Sequence, residues 1–220
     1  MLGQGPPFED RREAGRRLAQ ALSRHGDGRP AVVFALPRGG VPVAYEVART
    51  LGVPLDVLVA RKLGAPDQPE FGIGAVAPGG VRVLNEGAVR RLGIPQEYLN
   101  GITARETAEV GRRLRHFRGD RPEIPVAGHT AILVDDGLAT GVTARAAVEA
   151  LRLRGPDRLV LAAPVCAAQT ARALRPEVDD LVCLECPADL GAIGFWYANF
   201  DQTPDEQVIE LLEAHRREHP

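Results

Sequence analysis

The chain has 220 residues, 45% of them apolar and 25% charged, with a net charge of -2; it is long enough to build a sizeable core and has no basic excess to attract nucleic acid or an anionic membrane. No apolar run reaches the roughly 18 residues of a membrane span, and the opening MLGQGPPFEDRR lacks the apolar centre of a signal peptide. A soluble, cytoplasmic protein is expected.

From Phe8 to Arg24, apolar residues at 14, 18, 19, 21 and 22 recur between charges, predicting an amphipathic helix that Gly26 to Pro30 ends. Ala31 to Leu36 is an unbroken apolar run, a buried strand. It leads through Pro37, Arg38, Gly39 and Gly40 into VPVAYEVARTLG, a helix stopped by Gly52. Leu55 to Ala60 is the next strand and ends on Arg61 and Lys62. Strand, helix and strand at this spacing predict a parallel βαβ unit whose active edge is the carboxyl ends of its strands. Leu63 to Glu70 carries two prolines and a glycine and is expected to be irregular. GIGAVA and VRVLNE flank Pro78, Gly79 and Gly80 as a hairpin. Pro95 to Arg118 is a long, Arg-rich helix that could pack on the sheet or on a partner.

The stretch Ala131 to Thr143, AILVDDGLATGVT, is the most informative. Its apolar run fits a strand buried on both faces, with Asp135 and Asp136 emerging at the carboxyl end. The Gly/Thr turn that follows opens the helix ARAAVEALR. Free amide N–H groups and the positive end of the helix dipole make such a turn an anion site. Leu159 to Val165 and Leu181 to Cys186 are further strands around an Ala-rich helix that reaches about Leu174. Gly191 to Gln202 concentrates the aromatics, and Thr203 is expected to cap a terminal helix behind Pro204. The fold class is α/β: a mostly parallel sheet flanked by helices, with a hairpin or flexible loop and a small hood. One domain is expected over 1–220, its core about 28–186 and its hood and last helix about 187–217.

Cys183 and Cys186 form a CxxC in a strand-like segment, where positions three apart face opposite ways; with Cys166 they are too few for a disulfide framework. The five histidines are scattered and read as surface or loop residues. Lys62 is the only lysine among 27 basic residues, a compact point charge in a chain that otherwise uses arginine.

Paired carboxylates beside an anion loop suit vicinal hydroxyls next to a phosphate, the chemistry of ribose 5-phosphate. ILVDDGLATGVT resembles the phosphoribosyl-pyrophosphate motif of type I phosphoribosyltransferases, which runs from an apolar strand through paired acids to a T-G-x-T loop. The resemblance implies that Asp135 and Asp136 take the ribose hydroxyls, directly or through Mg2+. It implies that Gly137, Ala139, Thr140, Gly141, Val142 and Thr143 wrap the 5-phosphate. A second loop in that family binds pyrophosphate, and Arg38, Gly39 and Gly40 stand in its place, the glycines allowing close approach and the arginine supplying charge. Arg61 and Lys62 introduce what would be a mobile loop closing over the reaction. The activity implied is Mg2+-dependent transfer of a phosphoribosyl group to a nitrogenous base, purine or pyrimidine, or to another acceptor, with release of pyrophosphate; a homodimer is a family expectation.

The acceptor is less legible. Hypoxanthine/guanine enzymes carry an Asp where this chain has Ala139. Glu70-Phe71-Gly72 loosely resembles the loop carboxylate, aromatic and glycine of adenine enzymes, making Glu70 either a general base or a solvated loop acid. Phe195, Trp196 and Tyr197 either stack on an acceptor base or anchor the terminal helix to the core. The FEDRREAG opening and FWYANFDQ tail look most like bacterial predicted phosphoribosyltransferases without an assigned substrate. A non-catalytic regulator that binds phosphoribosyl pyrophosphate or a nucleotide is the alternative.

Overall fold

A computed structural model describes residues 6–25 and 30–219. Five parallel strands, β1 (Ala31–Ala35), β2 (Leu55–Val57), β6 (Thr130–Val134), β7 (Arg158–Val165) and β8 (Asp180–Glu185), stand in the order β2-β1-β6-β7-β8. The strand that ends on the paired acids is therefore the central one. Every residue of β1 and β6 is buried, which is why their sequences show no polar alternation. Alternate strand residues feed two cores. Val33, Ile132 and Val160 meet helices α1 (Arg11–Leu22), α2 (Gly40–Leu51) and α7 (Asp205–Glu218), whereas Phe34, Leu133 and Leu161 meet α5 (Val142–Arg152) and α6 (Ala168–Leu174).

Beyond β2 the chain departs from the sequence expectation. The second core strand stops at Val57 rather than Ala60. Arg61 and Lys62 lie inside a new strand, β3 (Arg61–Gly64), which pairs antiparallel with β4 (Gly72–Ala77), itself paired with β5 (Val81–Leu84). The expected hairpin is thus two strands of a three-stranded sheet, and Leu63 and Gly64 are regular. Burial explains it: Leu63 and Ile73 are fully enclosed in the core, a reward that outweighs the loop-like composition around them. Gly64 has Pro69 so close that a Cβ would sit 2.4 Å from the proline oxygen, so the 65–71 loop can fold back on its own strand. A short helix, α3 (Glu86–Arg91), starts where strand was expected to continue, with Asn85 accepting the Ala88 N–H at 3.0 Å.

The long helix α4 (Gln96–Arg118) packs across β3, β4 and α7. Its end is tied down by Arg118, which donates to Asp56 at 3.1 Å and to the Val57 carbonyl at 3.0 Å, all buried. Helix α1 begins at Arg11, capped by Asp10, and Phe8 instead makes a parallel bridge to Tyr197. Of the expected stop at Gly26 to Pro30, residues 26–29, and with them the expected core start at 28, lie outside the described residues, and α1 itself ends at Leu22. Thr203 does not cap α7; Pro204 holds that position with no side-chain bond. Cys183 packs on the core and Cys186 is exposed. Two histidines are not at the surface: His25 is buried with Nε2 3.2 Å from Asp180, and His215 is buried on α7. Among the described residues no helix is long and apolar enough to cross a membrane.

Two glycines make opposite predictions. Gly15 lies where α1 crosses α2, and a Cβ there would stand 2.7 Å from the Val43 carbonyl oxygen. Gly101 on α4 has nothing within 4 Å. Gly101→Ala is expected to raise stability by about 0.5–1 kcal/mol through helix propensity, while Gly15→Ala lowers it despite the same propensity gain. Thermal unfolding of both variants checks the contrast.

Candidate active site

At the carboxyl edge of the sheet β1 and β6 deliver their loops side by side. The ladder runs past both strand ends, with Leu36 N–H donating to Val134 O at 2.9 Å and Asp135 N–H to Ala162 O at 3.2 Å. The Pro37–Arg38 peptide is cis, and the next two residues lie against the acid pair. A Cβ on Gly39 would fall 2.0 Å from Asp136 Oδ2; one on Gly40 would fall 2.8 Å from Val134 O and 3.0 Å from the Asp135 Cα. Only glycine fits at this approach. Arg38, Gly39 and Gly40 are therefore brought together with Asp135 and Asp136, although the Arg38 guanidinium leans to Asp205 at the start of α7, 3.4 Å away.

On the other side the loop from Gly137 to Gly141 is pinned. Leu138 N–H donates to Val165 O at 2.9 Å, Ala167 N–H returns to Leu138 O at 2.9 Å, and the Thr170 hydroxyl donates to Ala139 O. Gly141 has φ 70° and is the N-cap of α5, without any side-chain cap. Ala139 and Thr140 are exposed, and Gly141, Val142 and Thr143 half-exposed, and this helix start lines a cavity of about 540 Å³ that reaches to Asn85 and Glu86. Uncapped N–H groups on a rigid turn suit a phosphate.

The acid pair itself is strained electrostatically. Burial, and then the charge of Asp136, hold the Asp135 carboxyl well above the usual carboxylate range. The Asp136 N–H donates to Asp135 Oδ1 at 2.8 Å. Asp136 is gripped from the termini of the chain. Arg11 Nε donates to its Oδ2 at 2.7 Å, and the same guanidinium donates to Asp201 O at 2.8 Å and stacks 3.8 Å over Phe200. The Tyr197 hydroxyl donates to Asp136 O at 2.6 Å, and burial keeps that phenol protonated by pushing its pKa up. Two acidic, hard-oxygen groups of this kind fit Mg2+, and a dication would relieve the repulsion that raises Asp135.

The aromatic segment sits directly against this centre, with Ile193 filling the space a Gly137 side chain would need. Tyr197 is buried between Phe8 and Phe200, and Trp196 is half-buried with its indole N–H on Leu190 O at 3.0 Å. Phe195 is 75% exposed; of the three rings it alone has an open face. The second basic group has other partners. Arg61 pairs with Glu106 of α4 at 2.9 Å, and Lys62 Nζ bonds Glu70 through both its carbonyl (2.9 Å) and its carboxylate (3.0 Å). These three residues are held to each other and to α4, not to the acid pair. Sequence reasoning missed Arg11, one of many arginines in an amphipathic helix, and Thr170, because no local pattern marks either.

The phosphoribosyl transferase domain, as a family description, matches residues 8–199. A Mycobacterium tuberculosis protein, provisionally named a phosphoribosyl transferase, is 46% identical over 210 residues, covering 95% of this chain and 47% of its own length. The chain thus spans about half the length of the curated relatives it matches. The crystal structure of TT1426 from Thermus thermophilus is similar with a TM-score of 0.78 at 43% identity, covering 93% of this chain and 97% of that one. A Neisseria gonorrhoeae protein crystallised with bound ppGpp shares the fold at a TM-score of 0.50 and 14% identity, covering 97% and 98%. By the match of its sequence, this chain belongs to the phosphoribosyl transferase domain family.

Proposed function

We propose that the chain transfers the phosphoribosyl group of phosphoribosyl pyrophosphate to a nitrogenous base or a similar acceptor, releasing pyrophosphate. The observation that carries this reading is the apposition at one sheet edge of three parts. They are an uncapped helix start at Gly141, the Asp135–Asp136 pair, and a glycine loop within contact of that pair. The 5-phosphate would accept from the amides of residues 139–143, and the ribose hydroxyls would donate to the carboxylates. Pyrophosphate would lie along Gly39 and Gly40, whose bare backbone lets it approach. Bound to the two aspartates, Mg2+ would offset the charge of the diphosphate.

As the C1–oxygen bond breaks, positive charge grows on the sugar and negative charge on the leaving group. Arg38 is close enough in sequence to the glycine loop to exchange Asp205 for that leaving group, and Lys62 could exchange Glu70 for it when the 65–71 loop closes. Closure would also keep water from the sugar cation. Glu70, 98% exposed in its side chain, is freed by the same exchange to serve as a base. Phe195 supplies the open stacking face for an acceptor ring.

Incubation with phosphoribosyl pyrophosphate, Mg2+ and a panel of purine and pyrimidine bases tests the reaction, with pyrophosphate release as readout. Binding without release for any acceptor would replace the enzyme by a nucleotide-binding regulator. Asp135→Asn combined with Asp136→Asn is expected to abolish sugar-phosphate binding in calorimetry while the protein stays folded.

Asp135 also makes a pH prediction. A carboxyl whose pKa rises on folding holds its proton more tightly in the folded state, so stability falls as pH rises from its unfolded pKa through its folded one. Asp135→Asn removes that penalty. Its thermal midpoint should exceed the wild type at neutral pH, by about 2–4 °C for each kcal/mol relieved, and the gap should close near about pH 3, below the ordinary carboxylate pKa.

Arg11→Ala leaves Asp136 without its cation and is expected to weaken phosphoribosyl pyrophosphate binding about tenfold, about 1.4 kcal/mol. Circular dichroism should show a folded protein. Unaltered affinity would remove Arg11 from the site.

A further inference from the structure

The far end of α7 carries a second constellation, remote from the chemistry above. His215 and Glu218 lie in the last turn of α7 and His219 is the non-helical residue that caps it, and one donor atom of each lies within 4.8 Å of the others. His215 and His219 border a cleft of about 260 Å³ that Pro54, Leu55 and Arg121 help to line. Val53 and Pro54 precede the amino end of β2. In a parallel sheet this is the edge opposite the paired aspartates, so the two centres do not share ligands.

The hydrogen bonds fix which ring nitrogens are free. His215 is 1% exposed, and its Nε2 lies 2.9 Å from the Val53 carbonyl oxygen. A carbonyl only accepts, so Nε2 carries the proton and Nδ1 carries a lone pair. That Nδ1 is buried with no hydrogen-bond partner, an unmet acceptor in a protein interior. His219 repeats the arrangement: its Nδ1 lies 3.3 Å from the His215 carbonyl oxygen, which leaves Nε2 with the lone pair. An imidazole that donates one N–H to a carbonyl and keeps the other nitrogen bare is the form that ligates metals.

We propose that His215, Glu218 and His219 form a binding site for a divalent transition ion of the zinc class. Two nitrogens and one carboxylate oxygen suit that class rather than Mg2+, which takes oxygens. The helix C-terminus adds a favourable negative dipole end. Three arginines line the cleft: Arg118 is engaged by Asp56 and Glu123, Arg121 reaches Glu213 at 4.0 Å, and Arg216 has a buried Nη1 with no partner. The imidazoles are stacked, with ring centroids 4.4 Å and planes 13° apart, so their in-plane lone pairs run side by side and His219 must leave the stack to share an ion. Half-exposed His219 and exposed Glu218 turn inward on the ion, while buried His215 stays fixed. The ion would lock the end of α7 onto the turn between α2 and β2.

The test uses the tag-free full chain, stripped of metal and titrated with Zn2+ against a chromophoric chelator. One equivalent is expected to bind and to raise the thermal midpoint. His219→Ala and Glu218→Ala, both at accessible positions, should weaken binding at least tenfold and about threefold and diminish the midpoint shift. His129→Ala, at a half-exposed bend elsewhere, should leave both unchanged. No stoichiometric binding, or equal affinity in the wild type and His219→Ala, would overturn the proposal. Excess Mg2+ should not displace the ion; if it does, the assigned metal class is wrong.

Discussion

The organising constraint is the space between Gly39 and Asp136. With a would-be Cβ only 2.0 Å from a carboxylate oxygen, the β1 loop and the β6 loop cannot be separated by even one methyl group. Everything else at the edge of the sheet follows from that closeness. Two loops reach one ligand only if their strands are neighbours, and β1 and β6 are paired in register along their whole length, Ala35 opposite Val134. The glycines are a requirement of contact, and the central placement of β6 gives the acids a protein wall on each side.

Closeness has an electrostatic cost. Two carboxylates emerging together from a buried strand repel each other and lose solvent, which is seen in the raised Asp135 pKa. The chain answers this at Asp136 with its own cation, Arg11, on the carboxylate and with a neutral donor, Tyr197, on the backbone carbonyl. Asp136 is thereby oriented and charge-balanced, whereas Asp135 is left unbalanced beside it. Such asymmetry between neighbouring acids is a common mark of functional sites.

What could be read without coordinates was what is local in sequence. AILVDDGLATGVT contains its strand, its acids, its turn and its helix start within a single run, and each appears in the structure as that run dictates. PRGG was legible for the same reason. The three-stranded sheet was not, because its first strand is held by the burial of Leu63 against residues far along the chain, and tertiary packing overrides a composition that reads as loop. Asn85 hid in a segment that alternates like a strand. Tyr197 was visible as an aromatic, yet its hydroxyl bond to the acid loop depends on the return of the chain after α6. His215 looked like any surface histidine of a charged helix, because the Val53 carbonyl that receives it lies 162 positions away.

Arg11 bonds Asp201 across 190 positions and Asp136 across 125. A binding centre closed by both early and late segments is complete only after nearly the whole described chain is available. During synthesis the helix carrying Arg11 emerges before β6, yet it has no acid to hold until β6 follows, and no backbone anchor until the segment after Tyr197 arrives. Contacts of such separation form late because the loop entropy must be met before they contribute. In the function proposed above, a sugar phosphate would meet a complete site only once the segments before β1 and after β8 have both joined it.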